Sequence, residues 1–335
     1  MKKYVLLITA ILIFMVGCGN RNLNNIKDEF IKNIDKTTYL MQGTMTIVSE
    51  QDTFTYDVTA ARDGDNYRVN LVNQLNNHEQ IILRTGNEVY VVTPSLNKSF
   101  KFQSDWPANG SQAYLIDALA NDVKNDPEAT VEKSNDGFII TALVNYPNNA
   151  NLVNERIHLD EDGEIKQVEV LDASGNAKIT VLFHSIDFRP NFDDDFFTLE
   201  SLIDEECCEE DEEQTVSAIL EDVIFPLYVP LNTYLISKDN VNTTTGNRVI
   251  LTFAGDSPFT LIEEVAIPRR EFEVIPVHGE PIMLSNAVGA LVGNSIHWTA
   301  NDIQYFLSSD SIPVSQLLTI AESMSKSAIP VIRPK

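Results

Sequence analysis

The chain is poor in the residues that most catalytic chemistry requires. It holds only three cysteines, too few for a disulfide framework. Its five histidines (His78, His158, His184, His278 and His297) show no paired metal-ligand spacing, and HExxH, CxxC, GxSxG and a phosphate-binding glycine loop are all missing. The usual signatures of zinc peptidases, thiol oxidoreductases, serine hydrolases and nucleotide enzymes are therefore absent. Positive charge is also scarce, with 24 Lys and Arg against 49 Asp and Glu and a formal charge of −25. Such a field repels phosphate backbones and anionic head groups, which argues against nucleic-acid binding. It also suits a saline or alkaline habitat. No polybasic segment offers a second membrane signal. The apolar run Tyr4–Val16 is thirteen residues long, short of the roughly 20 that a bilayer-spanning helix needs. Preceded by Lys2 and Lys3, it has the length of a secretory signal core.

What is present begins with that segment. Met15-Val16-Gly17-Cys18 resembles the lipobox of bacterial lipoproteins, although Met15 departs from the leucine most often found there. The resemblance implies removal of residues 1–17 as a signal peptide and diacylation of Cys18. The chain would then be anchored through a diacylglyceryl group to the extracytoplasmic face of the cell membrane, with 18–25 as a tether. An uncleaved signal anchor or an ordinary secreted protein are the alternatives. Cys207 and Cys208 remain, inside DEECCEEDEE (204–213). Neighbouring Cα atoms about 3.8 Å apart make a bond between them strained. The eight surrounding carboxylates raise thiol pKa values and blunt reactivity. A soft-metal site is conceivable, but a solvated acidic linker over 201–214 is the simpler reading.

A hydrophobic content of 43% is that of a folded chain. Ile26, Phe30 and Ile34 at i, i+4, i+8 predict a helix. From Tyr39 the period changes to two: Tyr39, Met41, Gly43, Met45 and Ile47, then Phe54, Tyr56, Val58 and Ala60, then Tyr67, Val69 and Leu71. Strands over 80–84, 88–93 and 99–102 follow, and short turns such as Asp63-Gly64-Asp65 and Thr85-Gly86-Asn87 imply an antiparallel meander. Residues 111–124 predict a second helix, after which strands resume at 130–133, 138–144, 153–159, 165–171 and 177–188. One helix, several strands, a second helix and more strands give an α+β domain over 26–200, a curved antiparallel sheet with helices to cover it.

The run Phe183-His184-Ser185-Ile186-Asp187-Phe188-Arg189-Pro190-Asn191-Phe192-Asp193-Asp194-Asp195-Phe196-Phe197 resembles the closing segment of the LolA-like superfamily. Gly86-Asn87-Glu88-Val89-Tyr90-Val91-Val92-Thr93-Pro94 is similar to that group's central strand and loop. The superfamily includes lipoprotein carriers and receptors and the RseB-like regulators. The resemblance, covering about residues 22–200, implies an unclosed β-barrel capped by helices around an apolar cavity. Beyond the linker, 215–225 predicts a helix ended by Pro226 and Pro230, with strands at 233–237, 248–253, 260–266, 272–275 and 282–284. The segment NSIHWTANDIQYFLSSDSIPVSQLLTIAESM (294–324) predicts a hairpin and a helix starting near Ser311. It resembles the end of a small C-terminal domain that follows LolA-like domains in sporulation-associated Gram-positive lipoproteins. A smaller α+β domain is expected over 215–335.

Candidate cavity or mouth residues are Tyr39, Phe54, Tyr56, Tyr67, Tyr90 and Trp106, an aromatic set able to line a concave apolar site. An ordinary filled core is the competing reading. Trp106, beside Pro107 in an irregular stretch, is the one placed at a mouth or interface. Acidic pairs at Asp160/Asp162 and Asp193–Asp195 lack the EF-hand pattern and read as a hairpin turn and a loop. No catalytic residue, metal or cofactor is expected. The sequence thus points to a non-enzymatic lipoprotein binding a hydrophobic ligand or an extracytoplasmic protein partner. A regulator docking a single protein partner (an RseB-like sensor, or a sporulation or germination factor) is the first rival and a cell-wall hydrolase the least favoured.

Overall fold

The computed structural model describes residues 23–34, 36–50, 52–203, 220, 222–243 and 246–324. The lipidation candidate Cys18 lies outside these residues, as do Cys207, Cys208 and most of the acidic linker.

The first helix, α1 (Leu23–Ile34), buries Ile26, Phe30 and Ile34. Each such side chain contributes about 1.5–3 kcal/mol on burial. The helix begins at Leu23, three residues earlier than the expected tether allows. Six strands follow as a meander: β1 (Thr38–Val48), β2 (Thr53–Asp63), β3 (Asn66–Asn73), β4 (Glu79–Thr85), β5 (Glu88–Thr93) and β6 (Lys98–Phe102). Helix α2 (Ile116–Asn125) then carries the chain to the far edge, where β7 (Thr130–Lys133) starts a second meander. It runs through β8 (Gly137–Leu143), β9 (Leu152–Asp160) and β10 (Ile165–Asp172) to β11 (Ala177–Asp187), which pairs with β1. The sheet order within this region is therefore β6-β5-β4-β3-β2-β1-β11-β10-β9-β8-β7. Because the connection from β6 to β7 must cross the whole sheet, α2 lies over one face by necessity. Helix α2 starts at Ile116, later than its periodicity suggests. Ser111 is tied instead to Asn145, its N–H donating to the Asn145 carbonyl (2.7 Å) while its Oγ accepts the Asn145 N–H (2.7 Å).

The second region holds β12 (Thr233–Thr243), β13 (Gly246–Gly255), β14 (Phe259–Val265), β15 (Glu273–Val277), β16 (Glu280–Met283), β17 (Val288–Val292), β18 (Ser295–Ala300), β19 (Ile303–Ser308) and α3 (Val314–Glu322). Seven of these strands form a sheet in the order β12-β13-β14-β19-β18-β17-β16, covered by α3 through Leu317, Leu318, Ile320 and Ala321. Strand β15 is the exception: it leaves this region and pairs in parallel with β6, becoming the twelfth strand of the first sheet. Of the helix expected over 215–225, residues 215–219 and 221 lie outside the described residues, and 220 and 222–225 are not helical. The Ile224 N–H donates to Glu263 Oε2 (3.0 Å) and the Leu220 N–H to Asn247 Oδ1 (2.7 Å), so strand side chains take the bonds that a helix would make internally.

Both sheets stay open, and each edge is blunted. Strands β15 and β16 carry Pro276 and Pro281, β7 has four residues, and β12 has a bulge at Ile236 with Lys238 beyond it. Proline, brevity, bulges and lysine are the ordinary protections of an exposed edge.

Candidate functional site

The face of the first sheet beneath α1 and α2 carries the main apolar cluster, and most of the aromatic candidates lie in it. Alternation on β1 points Tyr39, Met41 and Met45 inward, at 0–1% exposure. Tyr56, Tyr67 and Trp106 belong to the same cluster, and Phe54 packs against it half-buried. Trp106 is not at a mouth: it is 3% exposed, its ring sits edge-on to Tyr67 at 6.0 Å, and its carbonyl accepts a hydrogen bond from Arg84 Nη1. Tyr90 is corrected more strongly. On β5, Val89 and Val91 face this core, so Tyr90 and Val92 face the opposite side, under Leu202. There the segment after β11 folds back, with Phe192, Phe196 and Phe197 clustered, Phe197 edge-on to the other two rings, and Arg68 over Phe196 at 4.7 Å.

One polar group is set into the apolar face. Asp117, in the first turn of α2, is 7% exposed. Its Oδ1 accepts from Tyr39 Oη (2.7 Å), its Oδ2 accepts from Tyr67 Oη (2.8 Å), and Arg62 Nη1 stands 3.2 Å from Oδ2. Three adjacent strands, β1, β2 and β3, thus converge on one carboxylate and fix the helix to the sheet. Burial, with the neighbouring Asp117 charge, pushes the Tyr39 and Tyr67 phenols well above their ordinary range. They serve as donors, not as acids. Sequence periodicity could not find Asp117, because it stands on the buried side of a helix where an apolar residue is expected.

The junction between the two regions is built from specific bonds. Gln80 receives the Val288 N–H at Oε1 (2.6 Å) and donates from Nε2 to the Val288 carbonyl (2.9 Å). Tyr56 Oη donates to the Ser285 carbonyl (2.9 Å), and Lys98 Nζ to Gln304 Oε1 (2.9 Å). Val288 and Ala290 of β17 enter the first core. A cleft of about 390 Å³ opens at this junction, with Met45, Ile47, Tyr114, Met283 and Leu284 on its apolar wall and Glu50 and Glu322 at its polar end. Burial, then the charge of Glu50, pushes the Glu322 carboxyl up to about 7. A second cleft, about 840 Å³ and mostly polar, lies along α2 and includes Arg62, Arg84, Asp117 and Asp122.

The acidic pairs act structurally. Asp160 Oδ1 accepts the N–H groups of Asp162 and Glu164 and closes a hairpin turn. Among the described residues, no three His, Cys, Asp or Glu side chains converge as metal ligands. His158 bonds Glu169 at 3.0 Å and His184 bonds Thr44 at 2.8 Å.

Comparison with known proteins gives a family. The profile of the family described as "Sporulation protein YdcC-like" matches residues 1–197. The sporulation protein YdcC of Bacillus subtilis (strain 168) is 33% identical over 342 residues, covering 96% of this chain and 97% of that one. Among solved structures, a chain of the Pseudomonas aeruginosa MucA/MucB complex is 13% identical at a TM-score of 0.32, covering 88% of this chain and 97% of its own. A LolA superfamily protein from Nitrosomonas europaea is 14% identical at a TM-score of 0.31, covering 53% and 98%. These structural likenesses assign no residue a role. The identity and coverage shared with the Bacillus protein, and the match over the first region, establish that the chain belongs to the YdcC-like sporulation protein family.

Proposed function

We propose that this protein is a membrane-tethered, non-enzymatic binding protein of the sporulating cell that docks a protein partner, and not a carrier that engulfs an acyl chain. The observation carrying this reading is the state of the face under α1 and α2. A carrier needs that face open, yet Tyr39, Met41, Met45, Phe102 and Trp106 cover it at 0–3% exposure. Clefts open at the margins of this face, at the junction and along α2. The anchor proposed at Cys18 supports the same choice, because a tethered chain stays at one surface and does not shuttle. A partner would seat apolar side chains in the junction cleft, where Val48 stands half-exposed at the rim.

A second reading is favoured by the apolar wall of that cleft: a short hydrophobic ligand held between Met45, Ile47 and Met283. Two measurements separate them. Organic extraction of the Cys18→Ser protein, followed by mass spectrometry, is expected to release no stoichiometric lipid. A photo-crosslinker at Val48 in sporulating cells is expected to yield one discrete protein adduct. Stoichiometric fatty acid with no adduct would replace the docking reading by the ligand reading. Cys18→Ser is also expected to abolish palmitate labelling; label retained in that variant would refute the anchor.

A further inference from the structure

Large apolar side chains exposed to solvent are not evenly spread over this protein. Of thirteen among the described residues, seven lie within residues 225–241, where the chain enters β12. Phe225, Leu227, Leu231, Tyr234 and Ile236 are 43–85% exposed. The segment that carries them, VIFPLYVPLNTYLIS (223–237), has no charged side chain, in a protein with 49 acids. Its inward residues fix it in place. Tyr228 and Val229 pack against the second core, and Tyr228 Oη accepts a hydrogen bond from Gln316 Nε2 of α3 (3.2 Å). Leu227 and Leu231, flanking this pair, are thereby held outward. Ile236 sits at the bulge where β12 has one residue more than β13.

A cluster of exposed apolar side chains marks a contact with a protein or a membrane, and backbone and charge favour the membrane here. Polar backbone groups must be satisfied before a loop can enter hydrocarbon. In this loop Pro226 and Pro230 have no N–H to satisfy. The Leu227 N–H donates to the Ser323 carbonyl (3.3 Å) and the Thr233 N–H to the Pro230 carbonyl (3.1 Å). Asp256, the acid beside the loop at the β13–β14 turn, accepts a hydrogen bond from Asn232 Nδ2 (2.9 Å). Lys238, the first charge after the segment, stands with Nζ 5.8 Å from the centre of the Phe225 ring. Its stem can lie along apolar surface while the ammonium meets a lipid phosphate. A second copy of this chain is the poorer occupant, because two bodies of formal charge −25 repel each other. We infer that this face inserts shallowly into a zwitterionic lipid surface, Leu227 and Leu231 at the acyl border and Tyr234 among the head groups. The attraction is apolar, since an acidic body gains nothing from anionic lipid. This contact is separate from the junction cleft and does not depend on the anchor proposed at Cys18.

The test is co-sedimentation of residues 18–335, carrying Cys18→Ser, with sucrose-loaded vesicles. This chain keeps every described element and lacks both the apolar leader and the acylation site. The vesicles are phosphatidylcholine alone, or phosphatidylcholine and phosphatidylglycerol in equal parts. Saturable binding to the neutral vesicles is expected, unchanged between about 0.05 and 0.5 M salt, with weaker binding to the anionic ones at the low end. Leu227→Ser combined with Leu231→Ser should lower the partition coefficient at least about tenfold. Both positions are exposed, so a native circular-dichroism spectrum is expected of that variant. Leu231→Trp supplies a second measurement: its emission should shift to the blue on neutral vesicles and be quenched by brominated acyl chains. No binding of the parent chain, binding unchanged in the double serine variant, or an unshifted tryptophan would overturn the inference. A dimer in light scattering that the double serine variant abolishes, with no vesicle binding, would also overturn it and assign the patch to a second copy.

Discussion

Asp117 offers the most direct test of how the helix layer is held. Replacing it by alanine leaves two buried phenol hydroxyls without an acceptor, while Arg62 keeps the carbonyls of Gly64 and Lys36. An orphaned buried donor costs about 1–3 kcal/mol and breaking a buried charge pair about 3–5, so the loss is expected at about 3–5 kcal/mol. That is a large share of the roughly 5–15 kcal/mol by which domains are stable. Tyr39→Phe removes one donor and leaves Asp117 with Tyr67 and Arg62, for an expected loss of about 1 kcal/mol. The double variant should cost less than the sum, because the phenol orphaned by Asp117→Ala is no longer present. Urea denaturation followed by tryptophan fluorescence reads the cycle, since Trp106 packs against Tyr67 at 6.0 Å. A loss below about 1 kcal/mol for Asp117→Ala would refute the view that this carboxylate fixes α2 to the sheet.

Three further expectations follow from the same structure. Burial pushes the Glu263 carboxyl from 4.5 up to about 7. The folded chain therefore holds a proton that the unfolded chain has released, and stability should fall as pH rises from about 4.5 to 7, by up to about 3 kcal/mol. Glu263→Gln should reduce that slope in pH-dependent thermal melts, leaving the part that Glu322 contributes, and an unchanged slope would count against it. Gly43→Ala should be destabilising by about 2 kcal/mol or more, because a Cβ there would stand 2.4 Å from the Leu182 carbonyl oxygen at the bulge between β1 and β11; an unchanged urea midpoint would show that the bulge relaxes. Gln80→Ala removes both bonds to Val288 and is expected to increase amide exchange at β16 and β17 ahead of global unfolding. Uniform exchange across both sheets would mean that the junction does not open on its own.

Much of the first region is legible because its signals are local. Period-two alternation from Tyr39 to Leu71, turn residues at Asp63-Gly64-Asp65, and the i, i+4, i+8 stripe of α1 each depend only on neighbours within a few residues. The same locality explains the failures. Leu220 and Val223 fit a helical spacing, but Glu263 and Asn247, distant in sequence, take the Ile224 and Leu220 amides. Strand β17, with Val288-Gly289-Ala290-Leu291-Val292, has no alternation to read, being buried at four of its five positions. Tyr90 alternates as regularly as its neighbours, yet which face of β5 would be covered by α1 and α2, and which by Leu202, depends on the crossover of α2.

By itself, then, the amino-acid sequence determined the class of fold and the order of the elements in its first region. These follow from short-range periodicity and turn residues. Tertiary structure decided that β15 leaves its own region to complete the first sheet, and that the aromatic face is filled instead of open. It also decided that Asp117, on the helix, is held by Tyr39, Tyr67 and Arg62 of three neighbouring strands. Those outcomes rest on contacts between residues far apart in the chain, such as Tyr39 with Asp117 and β15 with β6, and no local pattern encodes the partner of a buried polar group. The cleft along α2 exists only because the chain crosses its own sheet.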